Sequence, residues 1–120
     1  MAAITVTVPL PHPWLSPNRR THWAPKATAV KKAREAAFLC AKEALARNLP
    51  PRWAYATLSV AWYSLKRQPD ADNVLAMLKP SIDGLEDAGI FENDRGLKIT
   101  GVEVLKQGHE CVELCVTRAE

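Results

Sequence analysis

The longest stretch of this chain without a glycine or a proline runs from Lys26 to Leu49, and it sets the first limit on the fold. Within it Val30, Ala33, Ala37, Ala41, Ala44 and Leu45 recur at spacings of three and four, while Lys31, Lys32, Glu35, Lys42 and Glu43 supply a polar side. That pattern predicts an amphipathic helix from about Lys26 to Asn48, stopped by Pro50 and Pro51. Its apolar face needs a second layer to cover it.

Strands on either side provide that layer. Ile4, Val6, Val8 and Leu10 alternate with Thr5 and Thr7, and Pro9, Pro11 and Pro13 end the alternation. Trp53 to Leu65 alternates over a longer run, with Ala56, Leu58, Val60 and Trp62 on one side and Tyr55, Thr57, Ser59, Ala61 and Tyr63 on the other. Both read as strands. Leu97–Leu105 and Glu110–Arg118 read as two more, joined by a turn at Gln107-Gly108-His109 into an expected hairpin. The first of these changes phase at Thr100-Gly101, which predicts a bulge. A second helix is expected from the capping candidates Asp70, Asp72 and Asn73 to about Ala88, closed by Gly89, with Val74, Leu75, Leu78, Ile82 and Leu85 at helical spacing. Pro80 removes one backbone hydrogen bond from it, so a kink or break is expected near Lys79. The order is βαβαββ. With 120 residues and 48% hydrophobic content, the chain has room for one α/β (α+β) domain over residues 1–120, four strands and two main helices around one core.

No stretch reaches the roughly 20 apolar residues of a membrane span, and the N-terminal residues lack the basic-then-apolar order of a secretory signal; a cytoplasmic protein is expected. Cys40, Cys111 and Cys115 are too few for a disulfide framework, so reduced thiols are the natural state. His109, Cys111 and Cys115 do not have the spacing of a zinc knuckle or ribbon. The two cysteines share a strand face and are expected to pack as small apolar residues. His12 reads as a surface loop residue, and Trp14, Trp53 and Trp62 as core or oligomer surface.

The charge is uneven. Residues 1–68 hold eleven Lys or Arg against two Glu, a net of +9, and residues 69–120 hold five against eleven Asp or Glu, a net of −6. One half suits a polyanion and the other a cation, although folding can also scatter such charges over a solvated surface.

Asp70 and Asp72 stand one residue apart where a strand meets a helix, and an extended backbone there points both carboxylates the same way. Two carboxylates sharing a site call for a compensating cation, and a divalent metal is the obvious one. The same residues can instead simply cap the helix. Asp94 arrives after a helix and a short turn and can return to the level of Asp70 and Asp72. Lys79, Asp83 and Glu86 lie on one side of the second helix, away from its apolar residues; an ordinary solvated face has the same pattern. Mg²⁺ is commonly held by one or two carboxylates, waters and substrate phosphate oxygens, which suits this set, with Lys79 neutralising phosphate charge. Upstream, Ser16-Pro17-Asn18-Arg19-Arg20-Thr21-His22-Trp23 interleaves cationic, amide and aromatic side chains of the kind that contact phosphates and stack on unpaired bases. Asn18, Arg19, Arg20 and His22 are candidate DNA contacts and Trp23 a candidate stacking residue. Lys26, Lys31, Lys32 and Arg34 continue the positive charge, and Lys66 and Arg67 lie immediately before Asp70.

Taken in order, these residues resemble the RusA-type Holliday junction resolvases, small endodeoxyribonucleases of bacteria and their phages. The parts that match are the first strand running into Pro17-Asn18 and a basic loop, the long helix, the strand ending at a basic residue, Asp70-Ala71-Asp72-Asn73, then Lys79, Asp83, Gly84, Leu85, Gly89 and the acidic turn with Asp94. The resemblance implies a mixed four-stranded sheet and metal-binding catalytic carboxylates at Asp70, Asp72 and Asp94. It makes Lys79 the active-site lysine and gives Asp83 a lesser part. It further implies Mg²⁺ or Mn²⁺ as cofactor, and a homodimer whose paired active sites nick both sides of a four-way junction. Five residues separate Asn73 from Lys79, more than in the best-known members and closer to phage-type relatives; one added helical turn of roughly 3.6 residues returns Lys79 to nearly the same face. Forks and other branched DNA are substrates open to such relatives. The competing expectation is a non-catalytic branched-DNA-binding phage accessory protein that keeps the fold and the basic loop.

Overall fold

In a computed structural model the described residues are 2–17 and 23–119, the side chains of Trp23 and Ala24 excepted. Strand β1 (Ala3–Pro9) is followed by a single 3-10 turn (Pro13–Leu15), helix α1 (Trp23–Leu45), strand β2 (Ala56–Tyr63), helix α2 (Ala71–Asp87), a second 3-10 turn (Asp94–Gly96) and strands β3 (Leu97–Leu105) and β4 (Cys111–Arg118). The strands form one mixed sheet in the order β1-β4-β2-β3, antiparallel between β1 and β4 and between β4 and β2, parallel between β2 and β3.

The expected hairpin between β3 and β4 does not form. Tyr63 faces Leu105 of β3 on one side and Cys111 of β4 on the other, so residues 106–110 step over the end of β2. Hydrophobicity explains the choice: Val112, Leu114 and Val116 are fully buried and belong in the middle of a sheet, whereas Ile99 and Thr100 are exposed, as suits an edge. The expected bulge in β3 is present. Leu58 pairs with Ile99 and Ser59 with Gly101, leaving Thr100 as the extra residue, and its hydroxyl donates to the Leu58 carbonyl at 3.3 Å.

One sheet face carries the core. Ile4, Val6 and Val8 lie across from Val116, Leu114 and Val112, which in turn lie across from Leu58, Val60 and Trp62, and all nine are buried. Ala37, Ala41 and Leu45 of α1 and Val74, Met77, Leu78, Ile82 and Leu85 of α2 complete the same cluster, giving a two-layer domain. Ala44, expected on the apolar side of α1, is exposed. Thr5, Thr7 and Ser59 face the other way and are exposed. Cys111 and Cys115 share that outer face, half-buried rather than in the core. Trp62 and Trp53 are core residues, while Trp14 is half-buried.

Helix α1 begins and ends about three residues earlier than its pattern suggests. Pro25 fits inside it because first-turn amides have no intrahelical acceptor to lose. It ends where Ala46 turns left-handed at φ 53° and its amide closes on the Lys42 and Glu43 carbonyls, each at 3.1 Å. Of the kink or break expected near Lys79, the break is absent, since helix α2 runs unbroken through Pro80; the proline is buried, and packing on α1 and the sheet holds the helix across the missing hydrogen bond. The helices approach closely at Gly84, where a Cβ would fall 2.8 Å from the Cβ of Ala37. Gly89, at φ +83°, closes α2 as expected.

Candidate metal and DNA site

Asp70 opens α2 as its N-cap. Its Oδ1 accepts the Asn73 amide at 2.9 Å, which satisfies one of the orphan donors of the first turn. Asp72 sits in that first turn, exposed, where a carboxylate also complements the helix dipole. The capping alternative is therefore realised at Asp70, although a carboxylate accepting one amide still has a second oxygen to offer.

Asp94 is held from below. Residues 89–92 zip onto 52–53 through Arg52 N to Gly89 O (2.8 Å), Trp53 N to Ile90 O (3.2 Å) and Glu92 N to Trp53 O (2.9 Å). Asn93 then caps the 3-10 turn by accepting the Arg95 amide at 3.0 Å. This delivers Asp94 to the side of α2, where Lys79 Nζ donates to Asp83 Oδ1 at 2.6 Å and to Asp94 Oδ2 at 3.3 Å. Its bonds to Asp83 and Asp94 outweigh partial burial and raise the Lys79 pKa, so the ammonium stays charged through the neutral range.

The structure thus brings Lys79, Asp83 and Asp94 together. It does not bring Asp94 up to Asp70 and Asp72: seven residues of helix, about 10 Å at 1.5 Å per residue, separate Asp72 from Lys79. Among the described residues no group of three or more His, Cys, Asp or Glu is close enough to share a metal ion. Asp72, Lys79 and Asp83 nevertheless line one side of α2, since positions seven and eleven apart return to nearly the same face.

The expected basic path is only partly in place. Lys66 and Lys32 are exposed and Lys26 is half-exposed. Arg67 is turned inward: its guanidinium donates to the Pro11 carbonyl at 2.9 Å and lies 5.3 Å from the centre of the Trp62 ring, and burial lowers its pKa. It ties the ends of β1 and β2, which commits one side of the guanidinium to the protein itself. Arg34 is taken up by a two-point pair with Asp87, at 2.6 and 2.8 Å. The candidates Asn18, Arg19, Arg20 and His22, and the side chain of Trp23, lie outside the described residues. His12 is a surface residue with a structural task, its Nδ1 accepting the Trp14 amide at 3.1 Å.

Two residues that sequence reasoning passed over organise this end of the sheet. Ser64 is fully buried, and Glu110 reaches across to it at 2.9 Å. A small polar residue directly after a buried strand, followed by a polar run, is the signal that could have flagged Ser64.

No family model matches the chain. Over 86 residues, 70% of its length, the chain is 41% identical to an uncharacterized protein of Xylella fastidiosa (strain Temecula1), and the matched part spans 56% of that protein, about half of it. Among the described residues, no helix is long and apolar enough to cross a membrane.

Proposed function

We propose that this chain is a divalent-metal-dependent endodeoxyribonuclease for branched DNA, similar to the RusA-type resolvases, with Asp70, Asp72, Asp94 and Lys79 as its working residues. The observation that carries the reading is Lys79. Its ammonium sits at an exposed site between Asp83 and Asp94, two residues from different elements, on the same helix side as Asp72. One cation against two carboxylates leaves an excess negative charge there.

Donor chemistry fits a hard cation: Asp70, Asp72 and Asp94 are exposed oxygen donors, and Mg²⁺ asks for only one or two protein carboxylates besides water and phosphate. Asp70 and Asp72 would hold Mg²⁺ or Mn²⁺ at the head of α2, and Asp94 would do so beside Lys79. When bound, the ion supplies Lewis acidity and charge neutralisation. Lys79, charged and oriented by Asp83, donates to a non-bridging phosphate oxygen and offsets the charge that builds up as the phosphodiester is attacked. Lys66, Lys26 and Lys32 attract the backbone. A homodimer working in the cytoplasm on four-way junctions or forks is the corresponding assembly.

One observation favours the competing reading of a binding protein that does not cut: Lys79 already compensates part of the Asp83 and Asp94 charge, as in a structural ion cluster. Both readings meet the same test. Wild type and Asp72→Asn are incubated with a labelled synthetic four-way junction and a matched linear duplex, with and without Mg²⁺ or Mn²⁺. Metal-dependent cutting of the junction, lost in the variant, is the expected result. Junction binding without cutting, under either metal, establishes the accessory protein instead.

A further inference from the structure

The connection from β2 to α2 carries no helix or strand, yet its polar atoms are closely accounted for. Ser64 is fully buried. Its amide donates to the Leu105 carbonyl at 3.1 Å, and its own carbonyl accepts Gln68 Nε2 at 2.6 Å. A serine hydroxyl has one proton and two lone pairs. Here the lone pairs receive the Lys66 amide at 3.1 Å and the Arg67 amide at 3.0 Å, and the proton goes to Glu110 Oε2 at 2.9 Å. The other Glu110 oxygen receives the Leu65 amide at 2.8 Å. Arg67 is then fixed at both ends, its carbonyl accepting Trp62 Nε1 at 2.8 Å and its guanidinium held on Pro11. Three residues later the chain reaches the Asp70 cap.

The ends of all four strands therefore converge on this one connection: Pro11 beyond β1, Ser64 beyond β2, Leu105 closing β3 and Glu110 before β4. Two features make Glu110 the organising member. Its φ of +49° is left-handed, an uncommon conformation for a glutamate, adopted where the chain has crossed the end of β2 to start β4. Its partners also demand an ionised carboxylate. The Ser64 hydroxyl and the Leu65 amide both donate, so both Glu110 oxygens must accept; a glutamine would turn an NH₂ group towards a donor. The Leu65 amide, then the Ser64 hydroxyl, hold the Glu110 carboxyl below its usual range.

We infer that Glu110 is a positioning residue for the Asp70–Asp72 end of the site, fixing through Ser64 and Leu65 the path by which the chain enters α2. Only the metal and cleavage readouts of its test rest on the nuclease reading. Amide exchange does not.

The test compares wild type, Glu110→Gln and Glu110→Gly, with Val116→Ala as a control that destabilises the core elsewhere. Glycine accepts the left-handed backbone, so Glu110→Gly removes the carboxylate without adding strain. Three quantities are read: amide hydrogen exchange at Lys66, Arg67 and Asn73, the affinity for Mn²⁺ alone by calorimetry, and kcat against KM for junction cleavage. Glu110→Gly is expected to speed exchange at all three amides. Mn²⁺ affinity and kcat should fall about tenfold, the size typical of lost outer-shell support, with KM unchanged. Glu110→Gln is expected to lie between it and wild type, and Val116→Ala to leave metal affinity and kcat within twofold. Faster exchange at Lys66 and Arg67 with Asn73, Mn²⁺ affinity and kcat unmoved overturns the inference and leaves Glu110 as a local staple. If wild type neither binds Mn²⁺ nor cuts, the nuclease reading fails and Asn73 decides alone: exchange there that responds to Glu110→Gly upholds the inference, and exchange that does not overturns it.

Discussion

Two ion clusters on α2 differ in how their charges add up. At Asp87 one carboxylate meets one guanidinium through two short parallel bonds, and the pair spans the two helices as a closed, neutral clamp. At Lys79 one ammonium is divided between Asp83 and Asp94, one bond short and the other longer at 3.3 Å, so the cluster keeps a negative charge and a loosely held member. A neutral, geometrically complete pair has little left to offer a ligand. An unbalanced, half-exposed one can exchange partners with a metal or a phosphate, and this separates a structural pair from a candidate working one more cleanly than burial does.

The sharpest way to break the comparison is Lys79→Met. If Lys79 stabilises phosphate charge, junction cleavage should fall about 100-fold, as for loss of one preorganised donor. Mn²⁺ binding should tighten at the same time, because Asp83 and Asp94 lose their internal cation; weaker binding would mean that the lysine orients these carboxylates and does not compete with the ion. Gly84→Ala should cost about 1–3 kcal/mol in chemical denaturation, since α1 has no room for the new Cβ, and should leave cleavage by the remaining folded protein unchanged. Asp70→Ala should lose about 1 kcal/mol of cap energy by the same measurement, and lost cleavage beyond that effect would give Asp70 a role that Asp87 lacks. Arg34→Ala should shift stability least, and less still in high salt, because both partners are a third or more exposed. Cleavage that depends on Arg34 would erase the distinction. The clamp also has a definite pH signature. Asp87 is held below the usual carboxylate range by Arg34, so its contribution is present above the unfolded value and disappears as pH falls through the folded one. An acid titration of stability with and without Arg34 reads it directly.

Elements whose pattern is set by local periodicity were legible in the sequence: the alternation of Ile4, Val6 and Val8, the buried half of β2 and the bulge at Thr100 all follow from residue spacing. Partnership between strands was not. Nothing local distinguishes a β4 that turns back on β3 from one that crosses β2, because the deciding quantity is how many neighbours cover Val112, Leu114 and Val116. At the candidate site, the Asp70 cap and the lysine–aspartate spacing on α2 could be read from helix geometry, and the meeting of Lys79 with Asp94 needed the tertiary fold. Arg67 shows the limit most plainly. As a cation before an acidic motif it looks like a phosphate contact, and only the neighbouring Pro11 carbonyl and Trp62 ring reveal that it faces inward.

The central place of β4 also sets an order of assembly. β1 and β2 do not pair with each other; β4, residues 111–118, lies between them and pairs with both. While the chain is being made, both helices can form and β2 can pair with β3, but β1 has no strand to pair with until β4 emerges. Such late, long-range closure predicts slow folding for a domain of this size and a nascent chain in which the edges of β1 stay unpaired until synthesis has passed Arg118.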